Sequence, residues 1–223
     1  MKNIFFTILV LCCYINAFAK NKDWAQYGRY EQQNAELLKT PDAVFLGNSI
    51  TDFWVRNDSA FFANNNFIDR GISGQTSQHM IARFRQDVIN LRPKVVVILA
   101  GINDIAQNNG PISLQNVLGN ITSMCELAKF NKIKVILCSV LPCDTFLWAP
   151  EIKPAQKVIE LNSLIYNYAK DNKIPYVDYH SAMSTPKGAL QEIYTKDHCH
   201  PTLPGYKIME QIILPVIKKT IGR

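Results

Sequence analysis

Short apolar runs alternate with longer amphipathic stretches along most of the chain. Five runs are continuously apolar rather than alternating: residues 43–46, 67–68, 95–99, 135–137 and 176–177. The run at 95–99 is the clearest, because it is Val-Val-Val-Ile-Leu and therefore strongly β-branched. Continuous apolar runs of this length are typical of strands that are buried on both faces of a parallel sheet. The pattern therefore predicts a mainly parallel sheet of about five strands.

Helical spacing of apolar residues fills the intervals between these runs. It appears at 76–91, where it stops before Pro93, and again at 112–131, 155–170 and 204–218. Strands that alternate with helices in one domain predict an α/β protein, a three-layer α/β/α sandwich. Right-handed crossovers then bring the loops after the strands to one edge of the sheet, where ligands bind in such folds.

The first twenty residues form a separate segment. Lys2 is followed by an almost wholly apolar stretch, 4–19, that ends in Ala17-Phe18-Ala19. This pattern predicts a signal peptide at 1–19, cleaved after Ala19, and a single domain at 20–223. The expected location is periplasmic or secreted, with no stable membrane span after cleavage; a retained N-terminal anchor is the alternative.

Composition and charge narrow the class of protein. The 223 residues are 48% hydrophobic and 19% charged, which excludes a disordered or collagen-like chain. The net charge is +6, but the basic residues are scattered singly, so we expect no nucleic-acid partner. Four cysteines lie beyond the signal segment and allow two disulfides in three connectivities: Cys125, Cys138, Cys143 and Cys199. Cys138 and Cys143 are close enough for a turn to pair them, whereas Cys125 and Cys138 also fit a core pattern.

Four polar segments follow predicted strands or precede the last helix: 47–51, 70–76, 100–104 and 197–201. Ser49 is a candidate nucleophile, His200 its base, and Asp197 the carboxylate that orients the base. The backbone N–H groups of Ser49 and Gly74 and the side-chain amide of Asn103 are candidate donors to an oxyanion. These residue types at one edge of a sheet predict acyl-transfer chemistry.

These four segments, in this order, resemble the SGNH hydrolases, also called the GDSL esterase/lipase family. The name-giving residues match Ser49, Gly74, Asn103 and His200, and the resemblance covers about 43–206. It is closest to the platelet-activating-factor acetylhydrolase-like branch. The resemblance implies a flavodoxin-like sheet and ester hydrolysis without a metal or other cofactor. The chain departs from the family pattern in having Gly-Asn-Ser-Ile at 47–50, where many members have Gly-Asp-Ser-Leu.

Other interpretations of individual residues remain open at this point. Asp104 competes with Asp197 as the orienting acid, although the local spacing favours Asp197. His198 and His200 could belong to a metal site, but further ligands are not evident. Cys199 is a weaker candidate nucleophile than Ser49.

The segment 142–154 carries candidate substrate-binding residues. Phe146, Leu147 and Trp148 follow the fourth predicted strand, at the same edge as Ser49. Exposed aromatic side chains there would pack against an acyl group or a sugar. The alternative is that Trp148 covers the core from outside.

The sequence predicts an exported serine esterase that removes short, acetyl-type acyl groups through an acyl-enzyme. The expected partner is a small-molecule or glycan ester. A lysophospholipase or other lipid esterase is the alternative enzyme. A carbohydrate-binding protein that keeps the fold without catalysis is the third hypothesis.

Overall fold

The computed structural model describes residues 23–223, and these residues build an α/β/α sandwich around a five-stranded sheet. The prediction of a signal peptide at 1–19 lies outside the described residues. The strands are β1 (Ala43–Gly47), β2 (Phe67–Gly71), β3 (Val95–Ile98), β4 (Lys134–Cys138) and β5 (Tyr176–Val177). The helices are α1 (Glu31–Ala35), α2 (Ser49–Asn57), α3 (Ser59–Asn65), α4 (Ser77–Phe84), α5 (Ile102–Ile105), α6 (Leu114–Phe130), α7 (Ala155–Asp171), α8 (Tyr179–Met183) and α9 (Leu203–Ile221).

All five strands are parallel, in the order β2-β1-β3-β4-β5. Every residue of β1 and β3 is buried, which explains why their sequences are continuously apolar. The strand order reverses direction between β1 and β3, so the loops after these two strands separate and leave a crevice. The predicted parallel sheet and flavodoxin-like sandwich are confirmed.

The predicted helices are present, with shifted ends and one change of type. The prediction at 76–91 becomes α4 followed by a π-helical turn, Arg85–Ile89, before the chain reaches Pro93. The long helix α6 begins where Ser113 accepts a hydrogen bond from the backbone of Asn116 at 3.2 Å, as an N-cap does. Among residues 23–223, no helix has the length and apolar character needed to cross a bilayer.

An aromatic cluster fixes helix α2 against β1. Trp54 of α2 is buried and stacks on Phe61 with ring centroids 5.6 Å apart, and Phe45 of β1 meets Trp54 edge-on at 5.4 Å. The Trp54 indole N–H donates to Glu210 of α9 at 3.1 Å, so this buried polar atom is satisfied. Helices α2 and α9 are thereby held together, which positions the first residue of α2, Ser49.

The strand β2 contains a buried carboxyl group, Asp69. Its Oδ1 accepts the backbone N–H of Gly71 at 2.8 Å, and its Oδ2 has no hydrogen-bond partner among the described residues. Burial raises the pKa of Asp69 to about 7, although the bond from Gly71 favours the charged form. A raised pKa in the folded state means that this carboxyl group favours unfolding increasingly as pH rises from about 4 to about 7.

We expect Asp69→Asn to remove this pH dependence. Asparagine keeps an oxygen for the Gly71 N–H but cannot ionise. From pH 5 to pH 8 the wild type should lose about 2–3 kcal/mol of unfolding free energy relative to the variant. Urea unfolding at both pH values measures the difference.

The control for that measurement is Asp42→Asn, at the residue that directly precedes β1. Burial opposes ionisation of Asp42, but Lys94 at 2.8 Å and Arg223 at 2.5 Å hold its pKa below the ordinary value. It therefore stays charged throughout this pH range, and its variant should keep the wild-type slope. Parallel slopes for wild type and Asp69→Asn would contradict the prediction.

Candidate active site

Ser49 is the first residue of α2 and lies two residues beyond the end of β1. Asn48 precedes it as the N-cap, and its side-chain oxygen accepts the backbone N–H of Ile50 at 3.0 Å. Aspartate caps a helix in the same way, so the departure from Gly-Asp-Ser-Leu keeps the cap. The first N–H groups of a helix have no partner within it, which leaves the Ser49 N–H available to an anion.

His200 contacts both other members of the predicted triad. Its Nε2 lies 2.8 Å from Ser49 Oγ, and its Nδ1 lies 2.6 Å from Asp197 Oδ2. The other carboxylate oxygen, Oδ1, accepts the backbone N–H groups of His200 at 2.8 Å and Cys199 at 3.1 Å. The three side chains therefore form the serine–imidazole–carboxylate chain that nucleophilic catalysis requires.

Asp197 is held in its charged form. Burial acts against ionisation, but the backbone and ring N–H groups of His200 and the backbone N–H of Cys199 together keep the pKa of Asp197 below its ordinary value. A charged carboxylate beside Nδ1 fixes the proton on that nitrogen. It leaves Nε2 as the acceptor that faces Ser49.

Gly74 occupies the third position of a tight turn after β2. The turn is closed by the backbone N–H of Gln75, which donates to the Ile72 carbonyl at 3.2 Å. Gly74 has φ +80°, a conformation that favours glycine, and a Cβ added there would meet nothing within 4 Å. The turn's hydrogen bond leaves the Gly74 N–H free, and the open space beside it admits a ligand.

Asn103 lies in the short helix α5 directly after β3, and it is buried. Its side-chain Nδ2 donates to the backbone carbonyl of Gln75 at 3.0 Å. This bond uses one of the two amide hydrogens and orients the other. The structure therefore brings Asn103 to the same turn as Gly74, as the predicted oxyanion site requires.

Asp104, the competing candidate acid, binds Ser77 and not His200. Its carboxylate accepts the backbone N–H of Ser77 at 3.0 Å and the Ser77 hydroxyl at 2.5 Å, at the start of α4. It thus joins the loop after β3 to the helix after β2. Of the two aspartates, Asp197 is the one that contacts the imidazole.

The two aromatic residues predicted to bind substrate occupy different environments. Trp148 is 45% exposed, and its ring centroid lies 6.0 Å from that of His200. Phe146 is completely buried, with its ring 4.9 Å from Trp148. The prediction that Phe146 is exposed at the rim is therefore wrong. The loop turns this side chain into the core, where it supports Trp148.

The Cys199 and metal-site alternatives receive no support from the geometry. A hydrogen bond with Cys143, together with burial, raises the pKa of the Cys199 thiol well above its ordinary value, which disfavours the nucleophilic thiolate. All four cysteines of residues 23–223 are free and buried, so the turn pairing of Cys138 with Cys143 is absent. Within the same range, no three His, Cys, Asp or Glu side chains are grouped as metal ligands.

Sequence reasoning missed Phe53, which borders the site from α2. Its ring centroid lies 5.3 Å from that of His200, and the Arg56 guanidinium lies 5.3 Å from the Phe53 ring. The signal was its spacing of four residues from Ser49, which places both on one face of a helix. Phe53 and Trp148 each lie against the imidazole.

Cavity size does not locate this site. A cavity of about 590 Å³ lies at the opposite edge of the sheet, where Lys134 begins β4 and Pro175 precedes β5. It contains none of the residues predicted for catalysis. Hydrogen-bond geometry at the carboxyl ends of the strands, and not cavity volume, distinguishes the candidate site.

The structure thus combines a flavodoxin-like sheet with a serine–imidazole–carboxylate arrangement at the carboxyl ends of its strands. Residues 45–208 match the GDSL-like lipase/acylhydrolase family, so the chain belongs to that family. The family resemblance seen in the sequence is thereby confirmed, and it assigns the protein to a class of carboxylic ester hydrolases.

The chain is similar to individual relatives and solved structures to different extents. A GDSL-like lipase from Bacteroides thetaiotaomicron VPI-5482 is 52% identical, with 87% of this chain and 98% of that chain covered and a TM-score of 0.85. Axe2, an acetylxylan esterase from Geobacillus stearothermophilus, shares the fold at 19% identity, with 78% and 93% covered and a TM-score of 0.63. The uncharacterized lipoprotein YqeF of Bacillus subtilis (strain 168) is 27% identical over 180 residues. That match covers 79% of this chain and 57% of YqeF, so the chain spans little more than half of that relative.

We expect Ser49→Ala to lower kcat at least about a thousandfold without loss of the fold, because only the attacking oxygen is removed. Initial rates with p-nitrophenyl acetate and circular dichroism measure the two effects. Ser163→Ala, the same change on the exposed face of α7, is the matched control. A fluorophosphonate probe should label the wild type and this control but not Ser49→Ala; undiminished labelling of that variant would place the nucleophile elsewhere.

We expect Asn103→Ala to lower kcat about 10²–10³-fold with little change in KM, because an oxyanion donor acts mainly in the transition state. Steady-state kinetics with the same ester measure both constants. Asn109→Ala, an exposed amide in the following loop, should remain near wild type. A rise in KM alone would make Asn103 a ground-state binding residue instead.

Proposed function

We propose that this protein is an exported serine esterase that removes short acyl groups, of the acetyl type, from carbohydrates or related small esters. The observation that carries the proposal is the pair of short contacts through His200, 2.8 Å to Ser49 Oγ and 2.6 Å to Asp197 Oδ2. A binding protein has no need of this arrangement, which argues against the non-catalytic hypothesis.

In the first half of the reaction, Ser49 Oγ attacks the ester carbonyl carbon and its proton passes to His200 Nε2. Asp197 stabilises the imidazolium that results. The carbonyl oxygen becomes an oxyanion, to which the N–H groups of Ser49 and Gly74 and the amide of Asn103 donate. Collapse of this intermediate breaks the bond to the alcohol oxygen, which leaves with the proton from His200. The acyl group remains on Ser49.

In the second half, His200 takes a proton from a water molecule, whose oxygen attacks the acyl carbon. A second oxyanion forms at the same donors. It collapses with release of the carboxylic acid, and the proton on Nε2 returns to Ser49 Oγ. All proton transfers pass through His200 Nε2, so the proposed reaction uses no metal or organic cofactor.

Two features support a short acyl group and a small or glycan alcohol. The strand–helix alternation continues without a long apolar insertion, and the loop at 142–154 presents one half-exposed tryptophan beside His200. Phe53 and the half-exposed Trp148 flank His200 as two separate ring faces, which form shallow walls and not a tunnel, and an aromatic face also suits the apolar face of a sugar ring. Axe2, which acts on acetylated xylan by its name, shares this fold.

Export is proposed from two further observations. The chain begins with the signal-like segment 1–19, and a relative, YqeF, is named a lipoprotein. Either a periplasmic or a secreted location agrees with both. Edman sequencing of the mature protein, expected to begin after Ala19, tests the cleavage.

The acyl chain-length preference distinguishes this proposal from a lipid esterase. We expect kcat/KM to fall from acetyl and butyryl to octanoyl p-nitrophenyl esters, measured below their micelle concentrations. A longer chain would meet the wall that Trp148 forms beside His200, and its additional methylenes stay in water, whereas each methylene buried in a fitting tunnel would contribute about 0.8 kcal/mol. A steady rise through octanoyl would favour the lysophospholipase alternative.

The same series tests the role of Trp148. Trp148→Ala should flatten the dependence on chain length, because the wall beside His200 is removed. Tyr166→Ala, which removes an exposed aromatic ring from α7, is the matched control and should keep the wild-type profile. Identical profiles for Trp148→Ala and wild type would place the acyl group elsewhere.

A further inference from the structure

A buried cation, Arg83 of α4, lies behind the candidate site. Its side chain is completely inaccessible to solvent, and so is that of Asp87, whose Oδ2 accepts from Arg83 at 2.9 Å. Burying a charged pair costs desolvation energy that a pair of well-packed apolar residues avoids, so the pair alone is weak evidence of a stabilising role. The other two guanidinium nitrogens, Nε and Nη2, bind residues next to the candidate site, which indicates a second role for Arg83.

One remaining donor reaches the strand end that carries the nucleophile. Arg83 donates through Nη2 to the backbone carbonyl of Gly47 at 3.0 Å. The same carbonyl accepts the backbone N–H of Ile72 at 3.2 Å, at the start of the turn that contains Gly74. Gly47 is the last residue of β1 and stands two residues before Ser49. The Gly47 carbonyl therefore connects Arg83 both to the strand end that precedes Ser49 and to the turn 72–75 that contains Gly74.

The other remaining donor reaches Gln75, at the end of the same turn. Arg83 Nε donates to the Gln75 side-chain oxygen at 2.6 Å, and the Gln75 amide nitrogen donates to the Ala25 carbonyl at 2.7 Å. The Gln75 side chain is thus held at both ends, and the residue is buried. Its backbone carbonyl is the acceptor that orients the Asn103 amide at 3.0 Å.

We propose that Arg83 is a positioning residue that fixes the oxyanion donors relative to Ser49, acting through Gln75 and the Gly47 carbonyl. The planar guanidinium spans the two partners with nitrogens whose relative positions are fixed, a geometry that the single ammonium of lysine cannot reproduce. Gln75 transmits this constraint to Asn103 through its carbonyl and to Gly74 through the turn. The inference rests on the proposed function, because it assigns oxyanion roles to Gly74 and Asn103.

The test uses variants that remove the link without leaving a buried charge unpaired. Arg83→Met combined with Asp87→Leu deletes both partners of the ion pair, and Gln75→Met deletes the next connection alone. We expect each variant to fold cooperatively and to show kcat about tenfold to a hundredfold lower than wild type, with KM within about twofold of wild type.

Arg83→Lys should not restore kcat. Asp42→Asn, which disrupts ion pairs at the opposite edge of the sheet, is the control for stability and should keep wild-type kcat.

A double-mutant cycle separates positioning from general destabilisation. If Gln75 acts through Asn103, adding Asn103→Ala to Gln75→Met should lower kcat by much less than the product of the two single effects. Multiplicative effects would overturn the proposal. So would a lower melting temperature with unchanged kcat in the Arg83→Met, Asp87→Leu variant. Wild type and Ser49→Ala are assayed alongside: full activity of Ser49→Ala refutes the proposed function itself, whereas normal kcat in the Arg83 and Gln75 variants refutes only this inference.

Discussion

The site depends on the position of β1 between β2 and β3. Gly47 pairs with Gly71 in the register of β1 with β2, and Leu46 pairs with Ile98 in the register of β1 with β3. Because all three strands are parallel, the loops that follow them leave the sheet at one edge and within a few residues of one another. Ser49, Gly74 and Asn103 each follow one of those three strands, so all three lie at that edge. Helix α9 completes the site, since the Tyr206 hydroxyl donates to the Ile50 carbonyl at 2.8 Å and holds the segment after His200 against α2.

Close backbone approach at Gly71 makes this geometry compatible with a helix on top of the strands. A Cβ at Gly71 would lie 2.1 Å from the backbone nitrogen of Asp52 and 2.8 Å from the carbonyl oxygen of Asn48, distances at which the backbone would have to move. The first turn of α2 therefore rests directly on the end of β2. A side chain at Gly71 would push Ser49 away from the turn that carries Gly74, so the glycine contributes to the site without taking part in the chemistry.

The sequence was sufficient for the elements that depend on local patterns. Continuous apolar runs identified the five strands, because a strand that is buried on both faces does not alternate apolar with polar residues. The order of the polar segments identified Ser49, Asp197 and His200 as neighbours, and the distances agree with that prediction. What failed was the direction of individual side chains within a loop: Phe146 and Trp148 are two residues apart, yet one is buried and the other half-exposed. Loop backbones have no fixed periodicity, so the sequence does not tell which side chain points inward.

The long-range polar network was equally hidden from the sequence. Arg83 and Asp87 have the spacing of an ordinary exposed ion pair on a helix, and such pairs usually lie in solvent. In the structure both are buried, with Arg83 in α4 and Asp87 in the π-helical turn 85–89 that follows it. Only the packing of α4 under the turn at Gln75 shows that the guanidinium faces the site. Burial of a charge is a tertiary property, which periodicity in one segment does not encode.

The connection between Asp197 and His200 contains a strained residue, and it packs against the loop that carries Trp148. His198 has φ +68°, a left-handed conformation that costs a non-glycine residue about 1 kcal/mol or more. Its ring lies 3.3 Å from Asp144, and Cys199 beside it is buried in contact with Cys143. The loop that carries Trp148 therefore contacts the turn that carries His200 at two adjacent positions. This turn directs the backbone N–H groups of Cys199 and His200 at one carboxylate oxygen and leaves the other for the imidazole. Trp148, which would contact the ester, and the turn that orients His200 therefore pack together as one unit.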